Sequence, residues 1–491
     1  MASGQYFDNI GDSWYIFSWG VSLRLRMKRA WRLDTIPFSR EPGPNHFSFA
    51  KEADMIPRRM ADRLFPYQVL RLAILLLPIL FLQNCATVQD VLESALPLPG
   101  QLEETIECND FWVTKEADVI GRLAVVRLRK GDTLPDMARH FSLGINTVSA
   151  ANPGIDIWVP EAGERLLLPL SFILPDSRRK GIVINLAAMR LFHFKTSGSR
   201  LAVSTYPVGV GTMDRPTPMG RMQIARKKFR PTWYVPASIA EDHRKKGDPL
   251  PAKVPPGPLN PLGEHALYLS RPGYLVHGTN KPASIGLRAT NGCIRLYPED
   301  IKRLYDGTPV KTPVNIVNQP YLVGQRNGIV YMEAHRPFKE SDSAELKRAY
   351  SQLRHIEKTS GVALDWKKVK EVVAKARGYP VPISEARHES EKGVAEPVRL
   401  KHPDNLYGRP EIPELKTDAW YVLAAVMPDR VDALRLAAIM NHQGPQIPAR
   451  VLSDGGRHRV LAGPFDRSGA AEDAAKRLKI DLEIDGVLVE P

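Results

Sequence analysis

Cysteine is scarce in this chain: 491 residues hold three, Cys85, Cys108 and Cys293. That number excludes the dense disulfide framework that staples small exported domains. It leaves at most one bridge, between Cys108 and Cys293, which would consume the cysteine with the most unusual surroundings. Also missing is any clustered pattern of metal-ligating residues, so the expectation is no metal and no organic cofactor. The most hydrophobic stretch, Leu70 to Leu82, falls short of the roughly 20 residues that a membrane-spanning helix needs.

What is present begins with length. A chain of 491 residues exceeds one ordinary core, so several domains are expected. The composition, 43% hydrophobic and 25% charged, is globular, and a formal net charge of +14 favours an anionic partner. Charge alone does not choose among nucleic acid, membrane and another acidic polymer. Arginines precede the Leu70 to Leu82 run, which stops at Cys85; this is the layout of a signal-peptide h-region, so residues 55–85 read as a signal peptide or lipoprotein signal and the chain as exported. "LQNC" resembles the lipobox of bacterial lipoproteins, which makes Cys85 a lipidation candidate; an incidental cysteine in an uncleaved anchor is the alternative. Residues 1–54 show no helical or strand period and read as a non-native extension or disorder, with synthesis starting near Met55 or Met60. Residues 86–121 read as a linker.

Residues 122–170 then predict a compact strand–helix–helix–strand unit. Ala124 to Leu128 form the first strand, and Asp132 or Thr133 caps a helix carrying Leu134, Met137, Ala138 and Phe141 at helical spacing. A second helix around Thr147 to Ala151 ends at "NPG", and "GERLLLP" returns as a strand. In order, "GDTL", "MARHF", "ANP" and the final "LLLP" resemble a LysM module, which implies binding to N-acetylglucosamine-containing glycans; a spacer without ligand is the alternative reading. Asp156 to Val159 depart from that pattern.

Residues 180–335 hold many short β-rich segments between glycines and prolines, the spacing of a mainly β domain or β-sandwich with short helices. The proline-dense, basic stretch from Glu241 to Gly263 reads as a surface loop at a substrate entrance. Residues 341–377 predict a helical appendage, and 378–417, proline-rich with mixed charge, a flexible linker. Residues 418–491 alternate strand and helix in two halves, a ferredoxin-like α+β domain. Arg459, Val460, Gly463, Pro464 and Phe465 match an element of SPOR domains, a resemblance that implies binding to peptidoglycan glycan strands stripped of stem peptides. The overall fold class is thus multidomain: a mainly β catalytic domain flanked by a small βααβ module and a ferredoxin-like domain.

Cys293 follows His277 by sixteen positions, within "HGTN" and "TNGC" blocks. A thiol near its ordinary pKa of about 8.5 is mostly protonated at neutral pH. It attacks well only if a base such as His277 takes its proton and later returns it to a leaving amine. Gly292 permits a sharp turn that brings the N–H groups of Gly292 and Cys293 toward an oxyanion. Thr279 and Asn280 orient the histidine, line the cleft or close a turn; Arg295 and Arg288 meet a substrate carboxylate or a structural acid such as Glu299 or Asp300.

These blocks, with "YPVGVG", "TPMG" and "PTWYVPASI" upstream, closely resemble the catalytic domain of L,D-transpeptidases over positions 180 to 335. The resemblance implies that Cys293 is the nucleophile and His277 the general base. It implies acylation on a tetrapeptide stem, release of D-alanine and transfer to an amine, without cofactor. Where many members carry a second histidine, this chain has Asn291, an amide that can hydrogen-bond but not titrate. The implied partners are peptidoglycan stem peptides and glycan strands, a wall-attached lipoprotein acceptor and, through the N-terminal anchor, the membrane; no nucleic acid is expected. The implied location is the periplasm, at a membrane and, with lipid on Cys85, the outer one. Hydrolysis by the same acyl-enzyme, as an L,D-carboxypeptidase, and a non-catalytic wall-binding scaffold are the alternatives.

Overall fold

The computed structural model describes residues 108–114, 117–197, 200–337, 343–384 and 396–491. The expected extension, the signal segment and Cys85 lie outside them. The first described strand, β1 (Asp110–Val113), is an edge strand of the large catalytic sheet, so the stretch expected to be linker already belongs to the fold.

The βααβ module follows: β2 (Ala124–Arg127), α1 (Leu134–His140), α2 (Ile145–Ala151) and β3 (Arg165–Leu168), with β2 and β3 antiparallel. Thr133 caps α1, its hydroxyl accepting from the Asp136 N–H. Leu134, Met137, Ala138 and Val148 are fully buried in a core shared with Val183, Phe192, Phe194 and Val203 of the next domain.

That next domain is one nine-stranded sheet. Its strands are β4 (Gly181–Asn185), β5 (Arg190–Ser197), β6 (Arg200–Pro207), β7 (Gly220–Phe229), β8 (His265–Leu269), β9 (Leu275–His277), β10 (Ile294–Arg295) and β11 (Pro313–Val317), together with β1. The order is β1-β6-β5-β4-β11-β7-β8-β9-β10. β7 serves both halves: Gly220 to Gln223 pair with β11, Ile224 to Phe229 with β8, and the register shifts between Ile224 and Arg226. A strand that changes partner at a bulge turns the corner of a sandwich. β4 shows why alternation is missing from "GIVIN": Ile182 and Ile184 face the catalytic core while Val183 faces the module, so both faces are buried. The exposed helix α3 (Ala237–Lys245) and the buried-face helix α4 (Pro298–Asp306) complete the domain, the latter placing Ile301 and Leu304 in the core.

Two expected boundaries move. β12 (Tyr321–Arg326) and β13 (Ile329–Ala334) leave the catalytic sheet, pair with each other and with β14 (Val381–Pro382), and pack on α5 (Ser343–Ser360) and α6 (Trp366–Lys375). The appendage is therefore an α/β unit that begins before residue 335. The expected flexible linker also carries structure: β15 (Val398–Arg399) adds to β2 in parallel, and the buried His402 lies 2.8 Å from Asp132.

The last domain runs β16 (Trp420–Met427), α7 (Arg430–Asn441), β17 (Ala449–Asp454), β18 (Arg457–Phe465), α8 (Ser468–Leu482) and β19 (Val487–Val489). The sheet order β17-β18-β16-β19, with both helices contributing to one core, is the ferredoxin-like arrangement.

Candidate active site

β9 and β10 run parallel, with Val276 opposite Ile294 and His277 opposite Arg295. In-register residues of paired strands share a face, and so do residues two apart along one strand. His277 is thus in register with Arg295, two residues after Cys293, and the Arg295 charge acts on both side chains. Arg295 stands beside both.

His277 is buried, and its Nδ1 lies 2.6 Å from the Gly278 carbonyl oxygen. A carbonyl only accepts, so the proton of the neutral ring sits on Nδ1 and Nε2 keeps its lone pair. Burial pushes the imidazole down to about 3; the Arg295 charge pushes the same way, and the carbonyls of Gly278 and Leu262 oppose. Cys293 is half-buried, and its Sγ points to the Gly273 carbonyl at 3.6 Å. Burial raises its pKa, while the Leu275 N–H and Arg295 lower it without cancelling the burial. At rest these side chains are thus a neutral imidazole and a thiol. No disulfide joins Cys108 to Cys293, so the bridge between them is not formed.

The loop before the sulfur is built by Thr290. Its hydroxyl donates to the Cys293 carbonyl at 2.6 Å and accepts from the Gly292 N–H at 3.2 Å. Gly292 has φ +98°, and a Cβ there would sit 2.8 Å from the Tyr274 ring, so glycine is required twice over. Because Thr290 already engages the Gly292 N–H, that group is not a free oxyanion donor as the sequence suggested.

The other candidates separate. Asn291 is exposed and its Oδ1 accepts from Arg215 at 2.5 Å; Arg215 also holds Asp242 of α3 at 2.6 Å. Thr279 is buried and accepts from the Lys281 N–H at 2.9 Å, the turn-closing alternative. Asn280 donates to the Pro258 carbonyl at 3.2 Å. Arg295 does not pair with Glu299 or Asp300: it donates to Ser284 at 3.0 Å, Glu299 binds Arg139, and Asp300 faces Ser142. Arg288 is buried and donates to the Met213 sulfur. Among the described residues no group of three or more His, Cys, Asp or Glu is placed to hold a metal. Sequence reasoning missed Thr290, whose signal is a hydroxyl two residues before a glycine turn. It also missed Arg215, which has no local signal.

Residues 179–316 match the family model of the L,D-transpeptidase catalytic domain (YkuD), and residues 416–490 that of the SPOR domain. The chain is 36% identical over 279 residues to "Probable L,D-transpeptidase ErfK/SrfK" of Salmonella typhimurium, covering 55% of this chain and 89% of the relative. It is 38% identical over 234 residues to "Probable L,D-transpeptidase YbiS" of Escherichia coli, covering 47% and 76%. Against "Probable L,D-transpeptidase YcfS" of Escherichia coli the identity is 40% over 215 residues, covering 43% and 67%.

Proposed function

This chain belongs to the L,D-transpeptidase family and is a peptidoglycan-acting enzyme with a C-terminal SPOR domain, and on that premise we propose that Cys293 is its nucleophile and His277 its general base. The observation that carries the assignment is the parallel register of His277 with Arg295, with Nδ1 tied to Gly278. The thiol attacks the carbonyl of the third stem residue as Nε2 takes its proton, and the Cys293 N–H meets the oxyanion. Collapse expels D-alanine, whose amine takes that proton back from Nε2. The resulting thioester is attacked by an acceptor amine, which re-forms an amide and returns the thiol.

The finer assignments are part of this proposal. The acceptor is an amine of another stem or of a wall-attached lipoprotein. The location is the bacterial envelope, and the anchor is the uncleaved segment ending at Cys85 or lipid on Cys85; among the described residues no helix is long and apolar enough to cross a membrane. The LysM-like resemblance of residues 122–170 is supported by their βααβ order. Incubation with purified tetrapeptide muropeptides, followed by mass spectrometry, tests the chemistry: an acyl adduct on Cys293 and a cross-linked product are expected, both absent in Cys293→Ala. D-alanine release without cross-link would replace transfer by hydrolysis, and no adduct would remove the assignment.

A further inference from the structure

The loops of the βααβ module are covered by the chain's own C-terminal part. Asp156 binds Arg435 of α7 at 2.7 Å, and its other oxygen accepts from the Trp158 and Val159 N–H groups at 2.8 and 2.9 Å. Burial works against the charged form of Asp156, but Arg435 and those two N–H groups outweigh it and hold the carboxyl below its usual range. Asp136, in the first turn of α1, lies 3.0 Å from Nε2 of His442, whose ring sits 5.3 Å from that of Trp158. Asp132 faces His402 at 2.8 Å and Arg409 at 3.6 Å. Three carboxylates on one module thus meet four basic side chains, and the α7 contacts are largely shielded: Asp136 is 4% exposed, His442 10% and Arg435 13%.

The same docking reaches the catalytic segment. The stretch between His277 and Cys293 is gripped from two sides. The Ile145 N–H of the module donates to Ile285 at 3.2 Å, and Gly144 packs so closely on Gly286 that a Cβ at Gly286 would lie 2.6 Å from the Ile145 nitrogen. From the SPOR domain, Gly444 abuts the Asn280 carbonyl, where a Cβ would come within 2.0 Å.

We propose that the acidic loops of the βααβ module are a dock for the SPOR domain, and that this clamp holds the glycan-binding domain in fixed register with the segment linking His277 to Cys293. The partner of these loops is then the chain's own α7 and the preceding segment that carries His402 and Arg409, not glycan. A strand held by the SPOR domain meets the catalytic cleft from one direction, and the local stem concentration is set by docking geometry instead of by a slack linker. The delivery role rests on the transpeptidase reading; the clamp itself does not.

Hydrogen exchange of the full chain and turnover on two substrates test it. Arg435→Glu and, separately, Asp156→Arg are expected to increase exchange in residues 130–137, 155–160 and 279–284 together. Turnover on intact sacculi should fall about tenfold, while turnover on soluble tetrapeptide muropeptides stays within twofold. Asp156→Arg combined with Arg435→Glu restores both, which separates loss of the clamp from misfolding. Rapid exchange of all three segments in the wild type, or exchange that neither variant alters, overturns the clamp. Altered exchange with unchanged sacculus turnover overturns the delivery role. A wild type inactive on soluble muropeptides sinks the transpeptidase reading while exchange still decides the clamp.

Discussion

Arg295 stands directly across the parallel strand pair from His277 and two residues after Cys293, so one guanidinium acts on both members of the proposed catalytic pair in opposite senses. It favours the thiolate and disfavours the imidazolium. Among the described residues it has no carboxylate partner and donates instead to the Ser284 hydroxyl. A cation in this place keeps Nε2 unprotonated and ready to accept, while lowering the cost of charge on sulfur as the proton leaves.

Arg295→Met should therefore raise the Cys293 pKa further and raise that of His277 as well. Iodoacetamide alkylation followed by intact mass against pH reads the first effect: the half-rate point moves to higher pH and alkylation at pH 7 slows several-fold. Arg295→Lys, which keeps the charge, recovers most of the rate. Identical profiles for wild type and Arg295→Met would show that the guanidinium only fills space.

The pH dependence of the acylation step follows from the same pair. General-base catalysis needs neutral imidazole, which is present above the His277 pKa of about 3, so the acid limb lies far below the usual histidine range. Burial keeps the thiol protonated well into the alkaline range. The rate constant for carbapenem acylation is expected to be level from about pH 5 to 8, the range between an imidazole this depressed and an ordinary or higher thiol pKa. An ionisation near 6.5 in that profile would contradict the buried, neutral imidazole.

A second titration belongs to the interface between the module and the catalytic domain. Asp300 is buried beneath the module, where the Ser142 hydroxyl donates to it at 3.4 Å. Burial raises its pKa to about 7; Glu299 adds to this, and Arg303, Arg190 and Ser142 oppose it. The folded chain thus holds this proton more tightly than the unfolded one, whose carboxyl titrates near 3.9. The contribution of Asp300 to stability is fully present below about pH 4, declines as pH rises to about 7, and then stays constant at its least favourable value. Thermal unfolding against pH should show Asp300→Asn flattening this decline and raising the midpoint at pH 7 and above. A wild-type midpoint insensitive to the substitution across that range would mean that the carboxyl is ionised in the fold.

The proposed pair of His277 and Cys293 could be named from the sequence because its signal is local: a histidine before glycine, a glycine before cysteine, and strand-forming residues on either side. The module's helices were legible from Leu134, Met137 and Ala138 at helical spacing, and the last domain from its strand–helix alternation. What escaped is long-range pairing. β1 reads as linker because its partner β6 lies 94 positions away, as Ser204 bonding to Asp110 shows. β12 and β13 carry the same strand pattern as the catalytic strands, and only the position of α5 and α6 decides which sheet they join. The two residues of β15 are too few to stand out in a proline-rich stretch. Arg215 is invisible for the same reason, since its partners Asn291 and Asp242 meet it only in the fold.

α3 buries none of its residues, and Arg215 ties it, through Asp242, to the loop that carries Cys293. The Arg215–Asp242 pair is 35% and 46% exposed, so its strength is that of a surface salt bridge, about 0–1 kcal/mol. Asp242→Asn releases the helix and leaves the Asn291 contact in place, so it should change KM by at most about fivefold with kcat nearly constant. Arg215→Ala removes both contacts and frees the loop before the nucleophile, so kcat falls as well. Steady-state kinetics on soluble muropeptides distinguish the two. Equal effects of both substitutions on kcat would mean that α3 itself, and not the Asn291 contact, positions the sulfur.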